Sequence, residues 1–326
     1  MKSLTVGIIG LGPVGSILAS HLADYGVDVI VEDIAEELLA QIRKNGLKVS
    51  GIHELTADID RITGSLDELA ESEPDIIFIA TKACFLRTVL SNLKSVYKVK
   101  MKVVSFQNGL GNEQVITQVL GVDTAYRVVI NYAGELVSPG SAKMNWFQPP
   151  NYVGALRDGQ YTTDDTTEYI AEIMTASGLE TEESQDIKRH VWKKTILNAA
   201  LCSVCALTGQ TMKEAMELKS SRNVAIRILE EGLRVAEADG YAYGEDALEK
   251  FASYLMKGGA HKPSMLVDIE NRRKTEVDFL SGAIVNQGKK LGTDAPTNWA
   301  VTQLLKTLEE MRLERKHRRP HVKSLI

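Results

Sequence analysis

The stretch TVGIIGLGPVGSILASHLADYGVDVIVED, Thr5 to Asp33, decides how the rest of the chain is read. An apolar run, TVGIIG, ends in Gly10-Leu11-Gly12-Pro13-Val14-Gly15. A helical stretch follows from about Ser16 to Tyr25, and a second apolar run, VDVIV, closes on Glu32-Asp33. A G-x-G-x-x-G pattern alone says little, but set between a strand and a helix it is the start of a βαβ unit whose glycines have separate tasks. Gly10 permits the tight turn, Gly12 lets the backbone approach a pyrophosphate, and Gly15 allows close packing of the helix on the sheet. The helix N-terminus supplies unpaired N–H groups for phosphate oxygens. The loop from Gly10 to Gly15 is therefore the expected seat of a dinucleotide cofactor.

The acid at the end of the second strand chooses between cofactors. A carboxylate accepts hydrogen bonds from both ribose hydroxyls and repels a 2′-phosphate, and Asp33 stands at about the expected distance of ~20 residues past the loop. Glu32 is the rival assignment, and two surface acids at a strand end is the bland one. The cofactor is NADPH or NADH, and Asp33 favours NADH.

The same rhythm continues through a helix at about Ala35 to Asn45 and the runs DIIFIA and KVVSF. Strands alternating with helices predict a doubly wound, Rossmann-type α/β domain with a parallel sheet covered on both faces. Between Val128 and Val153 short strand candidates are broken by SPG, QPP and NYVG, where proline and glycine set the backbone angles. A helix near Asp164 to Ser177 and a short strand at LETEE follow. From about Gln185 apolar residues recur at three and four. The expected division is a dinucleotide-binding domain over residues 1–184 and an all-helical C-terminal domain, for substrate and catalysis, over residues 185–326.

A length of 326 residues with 44% hydrophobic content suits two such domains. A net charge of −5 gives no argument for nucleic acid or an anionic membrane as partner. No apolar run approaches the ~20 residues of a membrane span, and MKSL is no export leader. Three cysteines are too few and odd for a disulfide framework, so a reducing cytoplasm and a small soluble ligand are expected. The basic run RLERKHRRPHVK, Arg312 to Lys323, contains the helix-ending Pro320 and reads as a solvated helix end or tail rather than a nucleic-acid arm.

Open α/β sheets bind ligands beyond the carboxyl ends of their strands, where Thr81-Lys82 and Gln107-Asn108-Gly109 fall. Lys82 suits the anions of cofactor or substrate, and Asn108 both donates and accepts. A solvated lysine and a turn-forming Asn-Gly are the alternatives. In WKKTILNAALCSVC, Trp192 to Cys205, the residues Lys194, Asn198 and Cys202 lie four apart, on a helical stripe about 80° wide. Lys193 lies about 100° away, in register with Asp186 and Arg189, and is expected to face solvent. The C-x-x-C pair sits mid-helix with no second ligand pair nearby. It reads as buried small residues rather than a redox or zinc motif, and no metal site is expected. Cys84, beside Lys82, reads as a buried structural cysteine, with an accessible thiol as the alternative.

Together these pieces resemble the ketopantoate reductase (2-dehydropantoate 2-reductase) family over nearly the whole chain. The shared blocks are GLGPVG, TKA at Thr81, QNGLGNE at Gln107, WKKTILNA at Trp192 and PSMLVDIENRRKTEVDFLSGAIV from Pro263 to Val285, the last being the most specific. The resemblance implies an NAD(P)H-dependent oxidoreductase that converts ketopantoate to pantoate in pantothenate and coenzyme A biosynthesis. It puts the catalytic lysine on Lys194 and the catalytic glutamate on Glu276, with substrate contacts at Asn108, Asn198 and Ser264 and a lysine near both ligands at Lys82. Asn108 also borders the cofactor. Ser264 and Glu276 are about 120° out of phase on a straight helix, so their convergence requires a bend or a helix start at Ser264. An N-cap role for Ser264 and an ion pair of Glu276 with Lys274 or Arg273 are the alternatives.

Three positions depart from the family pattern. Cys202 stands where the family repeats an asparagine, Gly134-Glu135 where it has glycine-alanine, and Asp33 where NADP-using members often carry a basic residue. Cys202 is retained as a substrate-facing position. Two other readings stay open: a reductase of another branched 2-oxo acid, and a dinucleotide-binding sensor without catalysis. The long helical second half is compatible with a homodimer.

Overall fold

The computed structural model describes residues 4–317. The opening apolar runs form β1 (Thr5–Ile9) and β2 (Asp28–Glu32), joined by α1 (Pro13–Asp24). After α2 (Glu36–Asn45) come β3 (Leu47–Gly51), β4 (Leu55–Ala57) and β5 (Arg61–Thr63), then α3 (Leu66–Glu71), β6 (Ile76–Ile79), α4 (Leu86–Lys94), β7 (Lys102–Ser105), α5 (Asn112–Leu120) and β8 (Thr124–Val129). The next strands are β9 (Tyr132–Ser138), β10 (Ser141–Phe147), β11 (Asn151–Arg157) and β12 (Gln160–Thr162), before α6 (Asp165–Ala176) and β13 (Thr181–Glu183). The main sheet runs β12-β11-β8-β7-β6-β1-β2-β5, with β13 on β11. Pairing is parallel from β5 through to β8, as the βαβ alternation predicted, and turns antiparallel where β8 meets β11.

Side-chain alternation divides the apolar residues between two cores. Val6, Ile8, Val29 and Val31 join α1 and α6 on one face. Ile9, Ile30, Ile77 and Ile79 meet α3, α4 and α5 on the other. A second sheet, β4-β3-β10-β9, was not anticipated. It lies on α1 and explains why that helix is buried continuously from Gly15 to Leu22: a helix apolar all round must be covered all round. Gly134 of β9 is part of this packing, since a Cβ there would come within 2.9 Å of Ile17 Cδ1 and 2.5 Å of the Lys143 carbonyl.

The chain divides into two compact units, one ending at His190 and one beginning at Val191. The second is helical, as expected. It comprises most of α7 (Ile187–Thr208) with α8 (Met212–Glu217), α9 (Lys219–Ala238), α10 (Ala247–Met256), α11 (Ser264–Glu270), α12 (Ser281–Leu291) and α13 (Pro296–His317). Two polar anchors fix it, one half-buried and one buried. Asp239 accepts from Trp192 Nε1 and Gln287 Nε2, tying α7 to α12. Glu231 of α9 accepts from the backbone N–H groups of Thr297 and Asn298 and so caps α13 from another helix, an interaction of a type that contributes roughly 0.5–2 kcal/mol. No helix among the described residues is long and apolar enough to cross a membrane. Residues 318–323 of the basic run from Arg312 lie outside the described residues.

Candidate functional site

In the first unit the polar groups gather at the carboxyl edge of the parallel strands. Gly10 has φ +93°, and a Cβ there would lie 2.7 Å from Thr81 Cγ2, so glycine is required by both backbone and neighbour. A Cβ on Gly15 would sit 2.1 Å from the Gly10 carbonyl oxygen, which puts the close approach at the loop itself as much as at the sheet. Gly12 differs from both: a Cβ there meets nothing within 4 Å. Its glycine leaves open space beside the backbone, which fits a cradle for a ligand phosphate.

Leu11 is fully buried, and its main chain is engaged internally. Its N–H donates to Asp33 Oδ2 at 2.7 Å, and its carbonyl accepts from Ser16 Oγ at 3.0 Å. The Val14 carbonyl is taken by the Tyr132 hydroxyl at 2.9 Å, and Pro13 fills the first helical position without an N–H to satisfy. Asp33 also accepts from the Ala35 N–H at 2.9 Å. The carboxylate is thus clamped between the glycine loop and the start of α2, with capacity left for further donors. Glu32, one residue earlier, is buried at 4% exposure.

Lys82 caps the short 3-10 turn Ala83–Phe85 that follows β6, and it is half-buried. Cys84 on this turn is half-buried too, so the expectation of a buried cysteine does not hold; the turn's own geometry brings it towards the surface. The QNG segment is bound to Thr81 by Gln107 Nε2, which donates to the Thr81 carbonyl at 2.8 Å. Behind it lies a group that the motif reading missed. Arg127 of β8, 2% exposed, donates to the Gly109 carbonyl at 2.9 Å and Ser105 Oγ at 3.1 Å, and stands 3.7 Å from the Glu113 carboxylate. Tyr161 donates to Glu113 at 2.8 Å. One sequence signal was available: an arginine in the middle of the apolar strand TAYRVV has to be partnered. Asn108 emerges from this frame half-buried, its carboxamide making no hydrogen bond among the described residues.

In the second unit α7 presents the predicted stripe. Lys193 is exposed, Lys194 and Asn198 are half-buried and Cys202 is buried. The Asn198 carboxamide, like that of Asn108, makes no hydrogen bond among the described residues. Cys202 and Cys205 form no disulfide. Burial pushes the Cys202 thiol well above its usual range, with smaller contributions from Cys205 and from the carboxylate of Glu276, while the Met265 N–H pulls the other way. Burial likewise pushes Cys205 up to about 12. Both thiols stay protonated, so neither is a redox nucleophile.

The start of α11 therefore reaches Cys202 through the Met265 N–H, and the Glu276 carboxylate acts on the thiol electrostatically. The straight-helix phase between Ser264 and Glu276 does not apply, because α11 begins at Ser264 and ends at Glu270, and Arg272 turns the backbone with φ 54°. Pro263 occupies the cap position, and the Ser264 side chain makes no capping bond. Thr275 is anchored to Glu309 of α13 through its N–H and hydroxyl, which fixes the segment carrying Glu276. Arg273 pairs with Asp268 at 3.2 Å.

Comparison with known proteins accounts for this combination of elements. The sequence profile described as ketopantoate reductase PanE/ApbA matches residues 6–158, and its C-terminal counterpart matches residues 186–309. A 2-dehydropantoate 2-reductase of Archaeoglobus fulgidus is 30% identical over 313 residues, covering 95% of this chain and 99% of its own. Among solved structures, D-mandelate dehydrogenase with NADH and anilino(oxo)acetate superposes with a TM-score of 0.82 at 25% identity, covering 95% of this chain and 99% of the other. The 2-dehydropantoate 2-reductase of Geobacter metallireducens shares the fold at a TM-score of 0.84 and 22% identity, over 93% and 99% of the two chains. With both profiles matched, and a relative alike along almost its full length, the chain belongs to the ketopantoate reductase family.

Proposed function

We propose that the protein reduces 2-dehydropantoate to pantoate with NADH, as a cytoplasmic enzyme of pantothenate biosynthesis and as a homodimer. Residues 1–184 hold the cofactor and residues 185–326 supply the catalytic side chains. The observation that carries the reading is the α7 face, where half-buried Lys194 and Asn198 lead to Cys202, which the start of α11 meets through the Met265 N–H and on which the Glu276 charge acts. Gly12 and the α1 N-terminus receive the diphosphate, Asp33 accepts from the ribose hydroxyls, and Lys82 and Asn108 border the nicotinamide end. When bound, the reduced nicotinamide supplies a hydride to the carbonyl carbon of the 2-oxo acid. Lys194 stabilises the charge that builds on the carbonyl oxygen and delivers the proton there. Glu276 orients the lysine and the substrate, while Asn108, Asn198 and Ser264 hold the polar ends of the substrate.

Absorbance at the reduced-nicotinamide band, with ketopantoate and each cofactor in turn, tests substrate and cofactor together. NADH is expected to give a kcat/KM at least roughly ten-fold above NADPH. No oxidation of either cofactor would overturn the proposal.

Cys202 favours a second reading. A neutral thiol is a poor hydrogen-bonding replacement for a carboxamide, so a branched 2-oxo acid without the ketopantoate hydroxyl is the alternative substrate. Cys202→Asn should shift preference towards ketopantoate over its hydroxyl-free analogue by roughly ten-fold or more. An unchanged preference across a panel of 2-oxo acids removes Cys202 as a reason to suspect another substrate.

A further inference from the structure

Glu32 is a buried carboxyl whose position nothing in the core explains. Along β2, Val29 and Val31 point into the core under α1, and Ile30 joins Ile9, Leu69 and Ile79 on the opposite face. Alternation puts Glu32 on that second face, at the carboxyl end of the strand, with Ile9 and Thr63 as its register neighbours. It is 4% exposed, and its carboxyl makes no hydrogen bond or ion pair among the described residues. Its carboxyl oxygens are not fully enclosed, whereas an aliphatic residue fits this face without loss, as Ile30 does. The side chain lies beside Asp33, at the corner where a Rossmann-type sheet receives the adenosine half of its cofactor.

We propose that Glu32 is a second cofactor-selecting residue, its carboxyl directed at the adenosine half of the bound dinucleotide and acting with Asp33 against a 2′-phosphate. The inference rests on the NADH reading above. Asp33 is held by two backbone N–H groups, whereas Glu32 has no such donors. Burial pushes Glu32 up to about 7, and the neighbouring charge of Asp33 adds to the shift. Ile9 of β1 and Thr63 of β5 face it without charge. The remaining acid at this corner, Glu68 of α3, accepts a hydrogen bond from the Thr63 hydroxyl. Below about pH 7 Glu32 is mostly neutral, and Asp33 alone opposes the 2′-phosphate. Above it the corner carries two negative charges, and discrimination against NADPH strengthens.

Fluorescence titration of the full chain with NADH and NADPH at pH 6 and pH 8.5 tests this, comparing the parent with Glu32→Gln and Glu32→Leu. The 2′-phosphate itself ionises near pH 6 in every variant, so the difference between variants isolates Glu32. The parent's Kd ratio, NADPH over NADH, should rise between the two pH values by roughly ten-fold more than in either variant. Leucine repeats the test should glutamine at this apolar position prevent folding. The inference is overturned if the ratio changes alike in all three proteins, including the case where only the melting temperature responds. A parent that binds NADH no more tightly than NADPH at pH 8.5 defeats the underlying NADH reading as well, a separate outcome visible without any variant.

Discussion

Lys194→Ala should leave a folded protein that binds NADH as the parent does and turns over 2-oxo acid roughly 10²–10⁴-fold more slowly. Lys194 is half-buried on α7, and the helix is anchored elsewhere, by the Trp192 indole bonded to Asp239 and by apolar neighbours such as Ile196. Removing the lysine side chain therefore costs little packing and takes away the proposed proton donor. The loss should fall on kcat more than on KM, because the lysine's charge is used most as the oxyanion develops. Steady-state kinetics with a parallel NADH fluorescence titration measures both quantities. A parent protein that binds NADH but reduces no 2-oxo acid would decide for the sensor reading. Turnover by Lys194→Ala within a few-fold of the parent would remove Lys194 from the chemistry.

How much of this was legible before the structure depends on how far apart the interacting residues lie in sequence. The glycine loop and Asp33 were readable because their constraints are local: a left-handed turn, a missing side chain at Gly12 and a carboxylate at a strand end. The α7 stripe was readable because helical geometry alone separates Lys194 from exposed Lys193. The second sheet was not, since β3 pairs with β10 from far along the chain and so joins two local hairpins; the local sign was the lack of a polar face on α1. A bend or a helix start at Ser264 was expected, but the place of the turn was not, because it uses Arg272 in a conformation that usually selects glycine, so no turn signal marks it. Glu32 was weighed only as a rival for the role of Asp33. Its burial on the face of Ile30 follows from a strand register that one sequence does not fix.

Arg127 joins the fold to the site most directly, and Arg127→Met should lower stability by about 3–5 kcal/mol. The substitution keeps an apolar stem of similar length in β8 but leaves Glu113, 1% exposed, with the Tyr161 hydroxyl and no cation. For a unit of this size roughly 2–4 °C accompany each kcal/mol, so the melting temperature should fall by roughly 6–20 °C. Arg127→Met combined with Glu113→Gln should recover part of that loss, because no charge then remains buried without its partner. Differential scanning calorimetry on the parent, the single variants and the double variant gives the coupling directly. A drop of less than about 2 °C in Arg127→Met, or a double variant no more stable than the sum of the singles predicts, would mean that the pair is held together by its surroundings rather than the reverse. The same variant tests the link to function. The Gly109 carbonyl loses its donor next to Asn108, so the residual folded enzyme, assayed well below its melting temperature, should show a raised KM for the 2-oxo acid. A purely structural arginine would leave that constant unchanged.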